Sequence, residues 1–201
     1  MTGFYEHLLN YRIFLASRSP RRQQLMEEAM IPFTVWLKEA MDETIPDGMD
    51  LYEAPGYLAR KKARVYLSDL NEMDILITAD TVVVLNQRIL GKPNTKDEAR
   101  EMLLRLSGVC HEVVTGVCIT SPGREHLFDS LTRVWFEKLT GEEIDAYIDR
   151  YLPFDKAGSY GIQEWIGYVG VSRIEGSFFN VMGLPVQRLY QELKSFTHYN
   201  R

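Results

Sequence analysis

Cysteine is scarce in this chain: 201 residues hold only Cys110 and Cys118, with no CxxC pair. That excludes a disulfide framework and a cysteine-based zinc site. The four histidines, His7, His111, His126 and His198, have neither ligand spacing nor serine and aspartate partners in pattern, so no zinc centre or Ser-His-Asp triad is expected. The longest apolar runs, Ile75–Ala79 and Val82–Leu85, are broken by Asp80, far short of the about 20 residues that a membrane helix needs. The segment from Met1 to Arg12 carries Glu6, His7 and Asn10 and lacks the apolar core of a signal peptide, so a cytoplasmic location is expected. Positive charge is not in excess either. Lys and Arg total 23 against 28 Asp and Glu, a net charge of −5, which argues against a sequence-independent nucleic-acid binder. A small anion held by a few local cations remains open. No repeat, low-complexity tract or linker divides the chain, and one domain over residues 1–201 is expected.

What is present is ordinary globular composition, 45% apolar and 25% charged, in a chain long enough to bury well over half of its unfolded surface. Ile13–Ala16 reads as a buried strand, followed by a helix over Arg21–Met30 with Pro20 at its start. Phe33–Leu37 reads as a strand, Glu39–Asp50 as an acidic loop and Leu51–Leu70 as mostly helix. Ile75–Ala79 reads as a buried strand that stops at Asp80-Thr81. Asn86-Gln87 is a candidate two-residue hairpin between Val82–Leu85 and Arg88–Leu90. Thr95-Lys96-Asp97-Glu98 and Thr140-Gly141-Glu142-Glu143 are capping boxes that open helices to about Leu106 and Tyr151. Glu112–Thr120 and Leu127–Leu139 are β-rich, Asp155–Gln163 is a glycine-bearing loop, Tyr168–Ile174 a strand and Pro185–Phe196 a helix. Alternating strands and helices predict an α/β fold with a mixed sheet.

Three groups of residues carry candidate chemistry. Ser17-Arg18-Ser19-Pro20-Arg21-Arg22 turns from a strand into a helix N-terminus, where free N–H groups and the dipole favour an anion. Two arginines there oppose the dipole unless an anion binds; alternatively they face solvent or pair with acids. Asp80-Thr81 offers a carboxylate suited to a general base or a metal, or to an ordinary turn. Lys62, Lys92 and the run Asp155-Lys156-Ala157-Gly158-Ser159-Tyr160-Gly161-Ile162-Gln163 form the third group. That run suits an approach to a polyphosphate and a base, or serves as a plain connection.

Taken in order, these blocks resemble the Maf family of nucleoside triphosphate pyrophosphatases. Ile13 through Arg22 looks like its opening signature. Asp42-Glu43, Lys62-Ala63, Ala79-Asp80-Thr81-Val82-Val83, Gly91-Lys92-Pro93 and Leu106-Ser107-Gly108 follow, then Asp155 through Gln163 and Gly183-Leu184-Pro185. The match spans about residues 11–196. The resemblance implies an elongated, mixed α/β fold with a nucleotide cleft, akin to the inosine triphosphatase group. It implies a divalent-metal-dependent hydrolase that cuts a nucleotide between its α- and β-phosphates, releasing pyrophosphate, in a nucleotide-pool housekeeping role. Asp80 matches the proposed proton acceptor. Arg21, Thr81 and Gln163 match positions tied to base selectivity in the branch that favours dTTP and UTP. Ser17, Arg22, Glu43, Lys62 and Lys92 match other cleft positions.

On this reading Arg21, Arg22, Lys62 and Lys92 offset the triphosphate charge, with Lys156 as a fifth cation. Glu43 and Asp80 would hold Mg²⁺ or Mn²⁺, and Asp80 takes the proton or only the metal. Arg18, Lys61, Glu164 and Trp165 depart from the family pattern, Glu164 standing where glycine is frequent. A modified purine such as 7-methyl-GTP is the alternative substrate, and a non-catalytic nucleotide-binding regulator of septation the alternative class. The expected partner is the triphosphate, with no nucleic acid and no membrane, and a homodimer is an allowed assembly.

Overall fold

Residues 3–39 and 44–199 are described by the computed structural model. Strand β1 (Arg12–Leu15) pairs in parallel with both β2 (Thr34–Val35) and β3 (Asp74–Leu85). Strand β3 returns antiparallel into β4 (Arg88–Leu90) through Asn86-Gln87. Those two residues have φ of 49° and 58°, the left-handed pair that a tight hairpin requires. Strands β5 (Cys110–Ser121), β6 (Arg124–Phe136) and β7 (Val171–Glu175) complete a seven-stranded mixed sheet in the order β2-β1-β3-β5-β6-β7, with β4 on β3. The helices are α1 (Gly3–Leu8), α2 (Pro20–Glu28), α3 (Ala54–Arg64), α4 (Lys96–Leu106), α5 (Gly141–Tyr151), α6 (Trp165–Gly170), α7 (Phe178–Met182) and α8 (Val186–Phe196). This is the mixed α/β class that the sequence predicts.

Helix starts follow local chemistry. Thr140 and Glu143 form the full reciprocal box at α5. At α4 only half of the box forms: Thr95 accepts from the Glu98 N–H, while the Glu98 carboxylate turns to Asn94 instead. Ser19 caps α2, with Pro20 in its first turn, where a missing N–H costs nothing.

Two expectations need correction. Strand β3 does not stop at Asp80-Thr81 but runs through both, which are its only half-exposed residues. A polar side chain does not interrupt a ladder of backbone hydrogen bonds, provided that it finds its own partner. Tyr168–Gly170 is helical rather than the start of a strand. Gly167 permits this, because a Cβ there would lie 1.8 Å from the Ile162 carbonyl oxygen. The close packing of turn on helix overrides the strand propensity of Tyr168 and Val169. Helices α1 and α7, of six and five residues, are too short to show in the sequence pattern.

The chain divides into two compact units, one of Met1–Asp80, Thr115–Ser130 and Gly183–Arg201, the other of Thr81–Val114 and Leu131–Met182. In the first, α3 lies on the sheet over a core of Ala59, Ala63, Tyr66, Leu76 and Cys118, flanked by Phe14 and Trp36. Helix α1 is tied to the C-terminal segment by Phe4 edge-on to Tyr190 and by His7 against the Thr197 carbonyl. In the second, Ile144, Tyr147 and Ile148 form the buried stripe of α5, and His111, Phe136 and Tyr160 pack edge to face.

Candidate active site

In the first unit the register of α3 on the sheet brings Lys62 to Asp80. Gly116 on β5 lets α3 approach very closely, since a Cβ there would fall 2.2 Å from the Gly56 nitrogen. The Thr78 hydroxyl then donates to the Ala59 carbonyl at 2.7 Å. Asp80 is two residues beyond Thr78 on the same strand face, and Lys62 is one helical turn beyond Ala59. The two side chains meet, Lys62 Nζ donating to Asp80 Oδ1 at 2.5 Å, with exposures of 19% and 15%. One carboxylate oxygen, Oδ1, is thereby fixed.

The turn after β1 is organised by its own serines. Ser17 Oγ accepts from the Ser19 N–H and Ser19 Oγ from the Arg22 N–H. Arg22 is anchored on the backbone: Nε donates to the Gly183 carbonyl at 2.7 Å and Nη1 to the Ala79 carbonyl at 2.9 Å. It braces the backbone immediately before Asp80. Arg21 is half-buried on the first turn of α2 and Arg18 is exposed. Asp42 and Glu43 lie outside the described residues.

The second unit holds Thr81, Lys92, Lys156 and Gln163. Thr81 is half-buried and Lys92 exposed. The segments of Lys92 and Lys156 are joined by the Gly158 N–H, which donates to the Gly91 carbonyl at 3.0 Å. Gly158 has φ of 68° and sits against Val83. Lys156 is buried and its ammonium is met by two carboxylates, Asp155 at 2.8 Å and Glu164 at 3.2 Å. Gly161 to Glu164 form a turn, closed by the Glu164 N–H on the Gly161 carbonyl at 2.9 Å. Gln163 stands at its corner with Oε1 buried and without a hydrogen-bond partner, an arrangement that costs about 1–3 kcal/mol until a donor arrives.

Sequence reasoning missed Tyr147. Its hydroxyl accepts from the Gly161 N–H at 3.0 Å and donates to Glu164. From the sequence it is simply part of the apolar stripe of α5, and only the polar tip on a buried aromatic hints at more.

Asp80 offers the hard oxygen that Mg²⁺ or Mn²⁺ takes, and such ions make do with one or two carboxylates plus phosphate oxygens rather than a full protein cage. Among the described residues no group of three His, Cys, Asp or Glu gathers as a closed protein site would require. The residues therefore fit an ion brought to Asp80 together with phosphate. Chemically, a fixed carboxylate beside an ammonium suits proton removal from water next to an anion.

A family model described as "Maf-like protein" matches residues 12–196. A protein of Phocaeicola vulgatus named dTTP/UTP pyrophosphatase is 51% identical over 189 residues, covering 94% of this chain and 98% of its own. One of Porphyromonas gingivalis with the same name is 50% identical over 197 residues, covering 97% and 99%. A solved nucleoside-triphosphatase / dITP/XTP pyrophosphatase from Mycobacterium abscessus is 13% identical with a TM-score of 0.43, over 92% of this chain and 98% of that one. That likeness is loose, and the assignment stands on the sequence relatives. With the signature blocks in order and near-complete coverage on both sides, the chain belongs to the Maf family.

Proposed function

We propose that the protein is a nucleoside triphosphate pyrophosphatase that hydrolyses dTTP and UTP to the monophosphate and pyrophosphate. The observation that carries the base is the buried, partnerless Oε1 of Gln163. Uracil and thymine present an N–H between two carbonyls, so the Gln163 amide can accept from that N–H and donate to a neighbouring carbonyl. The name shared by the relatives supports the same choice.

Water adds to one phosphorus of the α–β anhydride, the bridging P–O bond breaks, and the nucleoside monophosphate and pyrophosphate separate. Asp80, oriented by Lys62, takes the proton of the water. Arg22 holds the Asp80 backbone in place through Ala79. Arg21, Lys62 and Lys92 are assigned the phosphate charge and Thr81 a place beside Asp80, while Ser17 shapes the turn after β1. Lys156 is assigned to its own loop, where two carboxylates already meet it. Mg²⁺ or Mn²⁺, held by Asp80 and Glu43, would neutralise phosphate charge and acidify the water. The proposed location is the cytoplasm, where the free nucleotide substrates are; no helix among the described residues is long and apolar enough to cross a membrane.

The test is pyrophosphate release from dTTP, UTP, CTP, dATP, GTP and 7-methyl-GTP, with and without a chelator. The expected result is highest kcat/KM for dTTP and UTP, by about ten- to a hundredfold, lost with the chelator and restored by Mg²⁺ or Mn²⁺. Equal values across the panel, or 7-methyl-GTP as the best substrate, would overturn the base assignment. Nucleotide binding without pyrophosphate release would make the protein a regulator.

A further inference from the structure

We infer that Glu164 is a positioning residue that locks the orientation of the Gln163 amide, and so sets the discrimination between uracil and cytosine. The inference rests on the proposed reading of Gln163 as the base contact. Glu164 occupies the last position of the turn that Gln163 corners, and both of its oxygens are engaged. Oε2 receives the Tyr147 hydroxyl, and that hydroxyl accepts from the N–H of Gly161, the first residue of the turn. Oε1 receives Lys156 Nζ at 3.2 Å, in a pair whose side chains are 15% and 8% exposed. One carboxylate therefore clamps both ends of a four-residue turn, directly at Glu164 and through Tyr147 at Gly161.

The clamp and the amide also share one face of the turn. A Cβ at Gly161 would lie 2.8 Å from Glu164 Cδ and 2.9 Å from Gln163 Nε2, so both side chains fold over the same face of that glycine. With Nε2 packed there, Oε1 is the end that remains without a partner. An amide fixed this way presents an acceptor to a base. Uracil and thymine meet it with their ring N–H, whereas cytosine places a lone pair at the same ring position and would need the amide turned over. A free glutamine amide can flip and serve either base. The clamp is what denies cytosine that option. Removing Glu164 leaves the Tyr147 hydroxyl without this acceptor and Lys156 with the more exposed Asp155.

The experiment compares wild type, Glu164→Ala, Glu164→Gln and Tyr147→Phe in kcat/KM for UTP and CTP. In parallel, exchange of the Gly161 amide proton is followed by NMR in the nucleotide-free protein. In Glu164→Ala the UTP-to-CTP ratio is expected to fall about tenfold, mostly through a higher KM for UTP. Glu164→Gln, which keeps an acceptor for Tyr147, recovers part of it. Tyr147→Phe, nearly isosteric, behaves like Glu164→Ala and guards against a variant that does not fold. Gly161 exchange is expected to quicken in Glu164→Ala and in Tyr147→Phe. A merely structural role would lower turnover on both nucleotides alike and leave their ratio intact. An unchanged ratio in both Glu164→Ala and Tyr147→Phe overturns the specificity role, and unchanged Gly161 exchange overturns the clamp whatever the turnover. If wild-type protein releases no pyrophosphate from UTP, the proposed reaction is what fails, and the exchange rates still decide the clamp.

Discussion

A half-buried aspartate in a mostly apolar strand is tolerable only with a partner, and at the residue scale Lys62 provides it for Asp80. The pair has two consequences. Structurally, each side chain offsets the charge of the other. Chemically, the ammonium fixes one oxygen and so orients the carboxylate as a base. Asp80→Asn retains an oxygen for Lys62 and nearly the same shape, so thermal stability should stay close to wild type. Turnover should fall about 10²–10⁴-fold, the usual worth of a positioned acid–base group. Pyrophosphate release and a melting curve on the same sample check this. Retention of more than about a tenth of wild-type turnover would remove Asp80 from the proton-transfer role, and a collapse of stability would make it structural.

At the scale of elements, close backbone approach matters more than side-chain chemistry. Helix α3 reaches the sheet only because Gly116 has no Cβ: an added methyl would stand 2.2 Å from the Gly56 nitrogen and 2.4 Å from its Cα. Backbone atoms cannot step aside as a flexible side chain can, so Gly116→Ala must lift or tilt α3. Overpacking typically costs about 1–3 kcal/mol, and each kcal/mol lowers Tm by roughly 2–4 °C in a chain of this size. The expected drop is several degrees, together with lower kcat, because Lys62 moves off Asp80. Gly91→Ala is the control for stability, since nothing lies within 4 Å of its Cβ position. Similar Tm values for the two variants would mean that α3 has slack. The same distinction explains which elements were legible in the sequence. Thr140 with Glu143 announces α5, and Asn86-Gln87 announces the hairpin, because these are local contests between a few atoms. The continuity of β3 through Asp80, and the helix at Tyr168, depend on groups distant in sequence or on one glycine's missing Cβ. The site shows the same divide. Asp80, Lys62 and Gln163 stand out as polar residues in a recognisable order. Tyr147 does not, because its ring belongs to a buried stripe and only its hydroxyl works in the loop.

At the scale of the whole molecule, stability against pH depends on the groups that folding strips of water. His111 is 1% exposed, with Nε2 2.7 Å from the Tyr160 hydroxyl. Burial pushes its ring down to about 4, and the same cause pushes the Tyr160 hydroxyl up. Above pH about 6.5 the ring is neutral both folded and unfolded, and it adds no pH dependence. As pH falls from 6.5 towards 4 the unfolded chain binds a proton there and the folded chain does not, so stability declines. Below about 4 both states are protonated and this decline ends. The loss from His111 alone should be about 2 kcal/mol between pH 7.5 and pH 5. At high pH the sign reverses its source. Burial raises Cys118 to about 11 and lifts Tyr160 as well. The unfolded chain then releases protons that the folded chain keeps, and stability falls again above pH about 9. Asp74 adds to the acid side: burial works to raise it, but the Asn71 N–H and Arg12 outweigh burial and hold it low. The plateau should therefore lie between about pH 6.5 and 9. Urea unfolding of wild type and His111→Gln at pH 7.5 and pH 5 tests the acid limb. Glutamine does not titrate and keeps an acceptor for Tyr160, so the variant should lose about 2 kcal/mol less than wild type on acidification. Parallel losses in the two proteins would move the acid sensitivity to the carboxylates and away from His111.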